Sequence, residues 1–417
     1  MIKVESIESL AQRARRAAAD LAHLNTAVKN DVLLDLAGRI ESDAFRIRQA
    51  NEQDLAASKA ADLGNAKLQR LELTDAGIRQ MAAGLRQVAA LDDPVGKITR
   101  EYTAPSGILV RKVRCPIGVI LMIYEARPNV TIDAFALCFK SGNACILKGG
   151  REALHSNLAL MELVRQSLDA KGVTPDAAAL LTTSDREELK ALLKLDHYID
   201  LVIPRGGTEL IRFVHEQSRI PMVQHFHGVC HIFVDASADV DRAVDICATA
   251  KTSGPATCNA VECCLVHEKI APAFVPKLAA RLAKDGVELR GDETVCRLAL
   301  TAIPATNDDW GREFLDLIVA CKIVPDLDAA VEHIHHYGSN HTDAILSSDE
   351  SNQRTFVERV QSSCTLVNTS TRFNDGFSLG LGAEIGISTS KVHAYGPMGL
   401  EELTTQRYVV HGQWHLR

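Results

Sequence analysis

From the N-terminus to about residue 100, apolar positions recur at steps of three and four. Val32, Leu33, Leu36, Ala37 and Ile40 follow this rule, with charged residues between them. That is the period by which a helix turns one apolar stripe inward. Asn51 to Asp62 and Leu73 to Leu91 continue it, until Leu91-Asp-Asp-Pro-Val-Gly96 interrupts with proline and glycine. Tyr102 to Val113 alternates instead, which predicts a β-hairpin turning at Pro105-Ser-Gly107.

A strand-then-helix rhythm follows. Ile117 to Ile123 is a continuous apolar run suited to a buried parallel strand, and Thr131 to Lys140 reads as a helix. Ala144 to Lys148 and Ile199 to Ile203 are further strands, and Ala153 to Lys171 a further helix. Thr174-Pro175 predicts a helix start, and Ser184-Asp-Arg-Glu187 a capping box. The rhythm resumes with strands at His231 to Val234, Cys263 to His267, Ile318 to Val324 and Asp343 to Leu346. Asp239 to Thr249 and Pro272 to Lys284 read as helices between them. The tail, Gln406 to Leu416, reads as a short exposed strand. The expected class is α/β with doubly wound sheets.

The 417 residues suggest two or three domains at roughly 150 residues each. With 46 Lys+Arg against 53 Asp+Glu, the net charge of −7 gives no basic footprint, so no nucleic-acid partner is expected. The most apolar run, Ile117 to Tyr124, is far shorter than the ~20 residues a membrane helix needs. The start, Met1-Ile-Lys-Val-Glu-Ser6, has no apolar core for export, and a cytoplasmic location is the expectation. Eleven cysteines are too sparse for a disulfide scaffold and an odd number for internal pairing. Their spacing matches no zinc pattern, the fifteen histidines include no His-Glu-x-x-His, and no metal is expected. His335 and His336 are read as helix-surface residues.

Candidate chemistry concentrates in a few segments. Lys251-Thr-Ser-Gly-Pro-Ala-Thr-Cys-Asn-Ala-Val-Glu262 places Cys258 after a Gly-Pro turn and before an expected helix start, where a helix dipole favours thiolate. A nucleophile and a buried structural cysteine both fit at this point. Tyr124-Glu-Ala-Arg-Pro-Asn129 ends an apolar strand, where open α/β sheets receive ligands. Arg127 suits an anion and Asn129 a substrate oxygen, although a turn built on Pro128 accounts for the segment equally well. Lys148-Gly-Gly150 and Pro204-Arg-Gly206-Gly207 end two strands, and the pair together suggests a nucleotide. Gly380-Leu-Gly-Ala-Glu-Ile-Gly386 mimics a dinucleotide fingerprint but leads into no helical pattern, and is read as a loop.

Taken in order, these pieces resemble the aldehyde dehydrogenase superfamily, in its branch acting on γ-glutamyl phosphate. The resemblance runs through Lys29-Asn30, Asn51, Gly84-Leu-Arg-Gln-Val-Ala89, Asp93-Pro-Val-Gly96 and Pro116-Ile-Gly-Val. It continues in Tyr124-Glu-Ala-Arg-Pro-Asn-Val-Thr131, Lys140-Ser-Gly-Asn-Ala144, Cys258-Asn-Ala260 with Glu262, and Tyr337-Gly-Ser-Asn-His-Thr342. Asn368-Thr-Ser-Thr-Arg-Phe-Asn-Asp-Gly376, Gly382-Ala-Glu-Ile-Gly-Ile-Ser-Thr389 and Gly396-Pro-Met-Gly-Leu-Glu401 complete it.

The resemblance implies an NADP(H)-dependent enzyme that reduces L-glutamate 5-phosphate to L-glutamate 5-semialdehyde, releasing phosphate, in proline biosynthesis. It implies Cys258 as nucleophile, Asn129 as oxyanion donor, and Lys148, Gly206, Gly207 and Glu313 at the cofactor, Glu313 on the nicotinamide ribose. Arg127, Asn259, Arg372 and Asn374 become candidates for gripping the substrate. His225-Phe-His-Gly228 stands where hydrolytic members carry a water-activating glutamate, so hydride transfer is expected over hydrolysis. The resemblance also implies two doubly wound α/β domains and a small β oligomerisation flap. These are a cofactor domain (1–100 and 117–227), a catalytic domain (228–395) and the flap (101–116 and 396–417). A homodimer or higher oligomer follows, with possible functional coupling to glutamate 5-kinase.

Overall fold

The computed structural model describes residues 6–183, 185–224 and 227–416, with the side chains of Asn65 and Ala66 left aside. The chain divides into two compact units. Unit 1 is Met1–Gln224, Leu381–Gly386 and Met398–Arg417; unit 2 is His225–Gly380 and Ile387–Pro397.

Unit 1 opens with α1 (Ile7–Leu21), α2 (Thr26–Ser42), α3 (Ala44–Ala60), α4 (Asn65–Leu71) and α5 (Asp75–Ala90). Ser6, Asn25 and Thr74 cap three of these, each side chain accepting a backbone N–H three residues on. The antiparallel pair β1 (Ile98–Thr103) and β2 (Leu109–Pro116) follows. Then come β3 (Val119–Tyr124), α6 (Asn129–Lys140), β4 (Ala144–Lys148), α7 (Leu154–Ala170), β5 (Ala178–Leu180), α8 (Arg186–Leu192), β6 (Leu201–Arg205) and α9 (Thr208–Gln217). Strands β5-β4-β3-β6 form a parallel sheet. Every residue of β3 is buried, as its unbroken apolar run requires.

Several residues that carry the family resemblance turn out to hold unit 1 together. Lys29 lies 2.8 Å from Asp93, and Lys140, fully buried, donates to Asn30 and to the Ala89 carbonyl. Asn51 donates to the Leu71 carbonyl and Ser156 Oγ and accepts from the Leu73 N–H. Lys140 and Asn51 thereby satisfy buried backbone groups that would otherwise cost ~1–3 kcal/mol apiece.

In unit 2, β7 (Cys230–Val234), α10 (Val240–Thr252), β8 (Val261–His267), α11 (Ala271–Lys284), β9 (Glu288–Gly291), α12 (Glu293–Leu298) and β10 (Ile303–Pro304) come first. Next are β11 (Ile318–Val324), α13 (Leu327–Tyr337), β12 (Thr342–Leu346), α14 (Glu350–Arg359) and β13 (Cys364–Val367). The sheet β10-β9-β11-β8-β7-β12-β13 is parallel throughout. Its strands alternate between two cores. Cys264 and Val266 of β8 pack with α10, α11 and α12, whereas Cys263 and Leu265 face α13 and α14.

After the short strands β14 (Gly386–Ser388) and β15 (Gly396–Met398), β16 (Thr404–His411) pairs antiparallel with β2, giving the three-stranded sheet β1-β2-β16. The chain therefore has two doubly wound α/β units and a small β-sheet. No described helix is long and apolar enough to cross a membrane.

Three local readings need correction. Thr174-Pro175 opens only one 3-10 turn, because Ala178 already pairs with Cys145 in the sheet. Helix α8 is capped by Asp185, and the proposed cap Ser184 lies outside the described residues. Cys258 precedes no helix: the C-terminal end of α10 lies before it and β8 after it, so the helix-dipole argument falls.

Candidate active site

Each unit carries one group of candidate side chains. In unit 1 the winding direction reverses between β3 and β6, with β4 and β5 on the far side of β3. A ligand crevice is expected at the carboxyl ends of strands flanking such a reversal. There the Glu125 N–H donates to the Arg205 carbonyl, and a Cβ at Gly206 would lie 2.8 Å from the Glu125 carboxyl carbon. Gly207 is the N-cap of the ten-residue α9, the kind of helix start whose backbone N–H groups favour a phosphate. Lys148 ends β4 half-buried, donating to the Gly149 carbonyl at 2.8 Å; burial lowers its pKa against the pull of Glu152. Lys148, Gly149, Gly150 and Arg151 line a small pocket together with Leu180, Leu181, Thr182 and Thr183. A helix start and a strand-end lysine are the residue types that could hold the pyrophosphate and ribose oxygens of a dinucleotide.

Asn129 is the first residue of α6, and its amide donates to Asp133 Oδ2 at 3.0 Å. Burial pushes the Asp133 carboxyl up to about 6, with Asn129 opposing. Arg127, two residues earlier, is exposed.

The group in unit 2 is the turn between α10 and β8. Cys258 is partly exposed; of the eleven cysteines, all free, seven are buried. Lys251 and Glu262 flank the turn and meet across it at 2.6 Å, 0% and 1% exposed. Burial pushes the Glu262 carboxyl up to about 7, with Lys251 pulling it down and the N–H groups of Leu315 and Phe314 helping. Those two residues follow Glu313 directly, so the pair ties the Cys258 turn to the segment that carries Glu313.

Glu313 in turn accepts the Gly228 N–H at 3.0 Å, and burial raises its pKa. Gly228 lies flat on the cysteine: a Cβ there would overlap the Cys258 carbonyl and sit 3.0 Å from its Cα. His225 and Phe226, from the segment read as replacing a water-activating glutamate, lie outside the described residues.

Arg372 clamps the same turn, donating to Ser253 Oγ at 3.3 Å, Thr257 Oγ1 at 2.6 Å and Asn259 Oδ1. Asn259 donates to the Asn374 carbonyl at 2.9 Å, and Asn374 to Thr342 Oγ1 at 2.7 Å. Asn259 and Asn374 are buried, so their amides brace the turn, and Arg372 alone of the three is partly open to solvent.

Of the candidates, Cys258 and Glu313 are joined through Gly228, while the packing of Gly228 and the brace formed by Lys251 and Glu262 were not among the sequence-based expectations. A lone glycine and a Lys–Glu pair eleven residues apart give no local signal.

A model of the aldehyde dehydrogenase family matches residues 1–295. The γ-glutamyl phosphate reductase of Geobacter metallireducens is 49% identical over 417 residues, covering 100% of both chains. That of Xanthomonas campestris is 50% identical over 412 residues, 99% of this chain and 100% of the other. The crystal structure of γ-glutamyl phosphate reductase from Thermotoga maritima superposes with a TM-score of 0.97 at 40% identity, over 99% of this chain and 100% of that one. With the family model spanning well over half its length and such relatives covering it end to end, the chain belongs to the aldehyde dehydrogenase family, among its γ-glutamyl phosphate reductases.

Proposed function

We propose that this enzyme reduces L-glutamate 5-phosphate to L-glutamate 5-semialdehyde with NADPH, releasing phosphate, as a step of proline biosynthesis. The observation that carries the reading is the near 50% identity to γ-glutamyl phosphate reductases over the whole chain. The partly exposed Cys258 on its braced turn is the chemical complement to it.

In this mechanism the Cys258 thiolate attacks the acyl carbon. The carbon–oxygen bond to the phosphoryl group breaks, phosphate leaves with the electron pair, and a thioester remains on the enzyme. When bound, NADPH supplies the hydride that brings this thioester to the aldehyde level. Collapse of the resulting thiohemiacetal breaks the carbon–sulfur bond and returns the thiolate. Asn129 stabilises the developing oxyanion. Lys148, Gly206 and Gly207 hold the dinucleotide, and Glu313 takes the nicotinamide ribose. Arg127 and Arg372 meet the charged ends of the substrate, while Asn259 and Asn374 keep Arg372 and the turn in place.

The test runs the reaction backwards from glutamate 5-semialdehyde and follows NADP+ reduction. Activity should require inorganic phosphate, fall by at least about 10³-fold in Cys258→Ser, and be slower with NAD+. Activity without phosphate, or with coenzyme A in its place, overturns the proposed substrate. A Cys258→Ser variant that keeps its rate overturns the nucleophile.

A further inference from the structure

One buried cluster in unit 2 has no part in this chemistry. Three neighbouring strands place Asp343 (β12), His231 (β7) and Cys263 (β8) directly opposite one another across the sheet. All three are 0% exposed and lie on the face covered by α13, which brings His333 down onto them. The rings of His231 and His333 meet edge to face, centroids 5.5 Å apart.

Hydrogen bonding orients the His231 ring. Its Nδ1 and its backbone N–H both meet Asp343 Oδ1, at 2.9 and 3.0 Å. The other ring nitrogen, Nε2, is buried and has no hydrogen-bond partner among the described residues. An orphaned polar atom in a closed core is costly, and native structures rarely keep one without a reason. The same ring belongs to a compact set of donors: one donor atom each from His231, Cys263 and His333 all lie within 4.8 Å of one another.

The geometry points to a metal site that the sequence spacing did not disclose: His231, Cys263 and His333 together hold one zinc-class divalent ion. Two imidazoles and a thiolate are the ligand set such ions prefer. A carboxylate behind a ligating imidazole, as Asp343 stands behind His231, is the usual outer support of such a centre. The thiolate and the Asp343 carboxylate supply two negative charges against the ion's two positive ones, and the Lys322 ammonium beside them is a further positive charge that the site must tolerate. Loading releases the Cys263 thiol proton to solvent and requires His333 to carry its own proton on Nδ1. Lys322, now 3.5 Å from that nitrogen, then rests on the faces of Trp310 and Tyr337, which its ammonium already approaches at 5.3 and 6.0 Å.

The test uses the full chain freed of metal by a chelator and titrated with zinc against a chromophoric competitor. One ion per chain should bind, and cobalt in its place should show a sulfur-to-metal charge-transfer band. Cys263→Ala should remove the band and the stoichiometric site, and Asp343→Asn should weaken binding by about 10–100-fold. Cys264→Ala, whose side chain lies in the opposite core, and Cys258→Ala should leave both unchanged. If Cys263→Ala does not fold, His333→Gln gives the same readout. The proposal is overturned if no ion binds, or if stoichiometric binding survives Cys263→Ala or is lost with Cys258→Ala instead.

Discussion

Replacing Asp133 by asparagine should make the enzyme more stable at neutral pH and leave it unchanged in acid. Asp133 sits one turn into α6, its carboxyl pushed up to about 6 by burial from an ordinary 3.8. A carboxyl whose folded pKa lies above its unfolded value binds more protons when folded. Stability is therefore lost as pH rises from about 4 to about 6, and the penalty is complete above that window. A shift of about two units corresponds to ~3 kcal/mol, which the residual exposure of Asp133 discounts to ~2 kcal/mol. Asparagine removes the ionisation and keeps an oxygen to accept the Asn129 amide, so the existing hydrogen bond survives. Because the chain has two units, global melting need not be two-state, and amide hydrogen exchange in α6 is the better gauge. Measured from pH 4 to 8, the difference between variant and parent should be near zero at the acid end and grow to about 2 kcal/mol by pH 7. A difference that stays constant with pH, or a variant less stable at pH 7, would show that burial does not raise the Asp133 carboxyl.

Two further expectations concern the Cys258 turn. Gly228→Ala should fold yet lose at least about tenfold in kcat, since its Cβ must displace the Cys258 backbone; circular dichroism and steady-state kinetics check it, and an unchanged kcat refutes it. Lys251→Met removes the cation beside Glu262 and should raise that carboxyl further above about 7, so the variant should lose stability relative to the parent as pH climbs past 7. Exchange at β8 amides reports this, and Lys251→Met combined with Glu262→Leu should abolish the pH dependence; its persistence in the double variant would assign it to another group.

The parts of this molecule that could be read from its sequence are those written in one element at a time. The apolar run of β3, the helical stripe of α2 and the strand Ala144–Lys148 each carry their period within a few residues, and the structure places them where the pattern does. Cys258 stood out because a Gly-Pro turn and a polar neighbourhood are local too. The error there was also local: a turn leading into a strand and one leading into a helix look alike until the strand has a partner, and Val261–His267 finds its partners in β7 and β11. What stayed hidden depends on sheet register. His231 and Cys263 are 32 residues apart, and Asp343 and His231 are 112 apart, yet parallel pairing sets each directly beside the next. No linear spacing encodes such a row, because the crossover helices between parallel strands absorb insertions without moving the register. A search for ligand motifs along a parallel α/β chain therefore finds only sites whose donors share one loop or helix, and it passes over those built across strands.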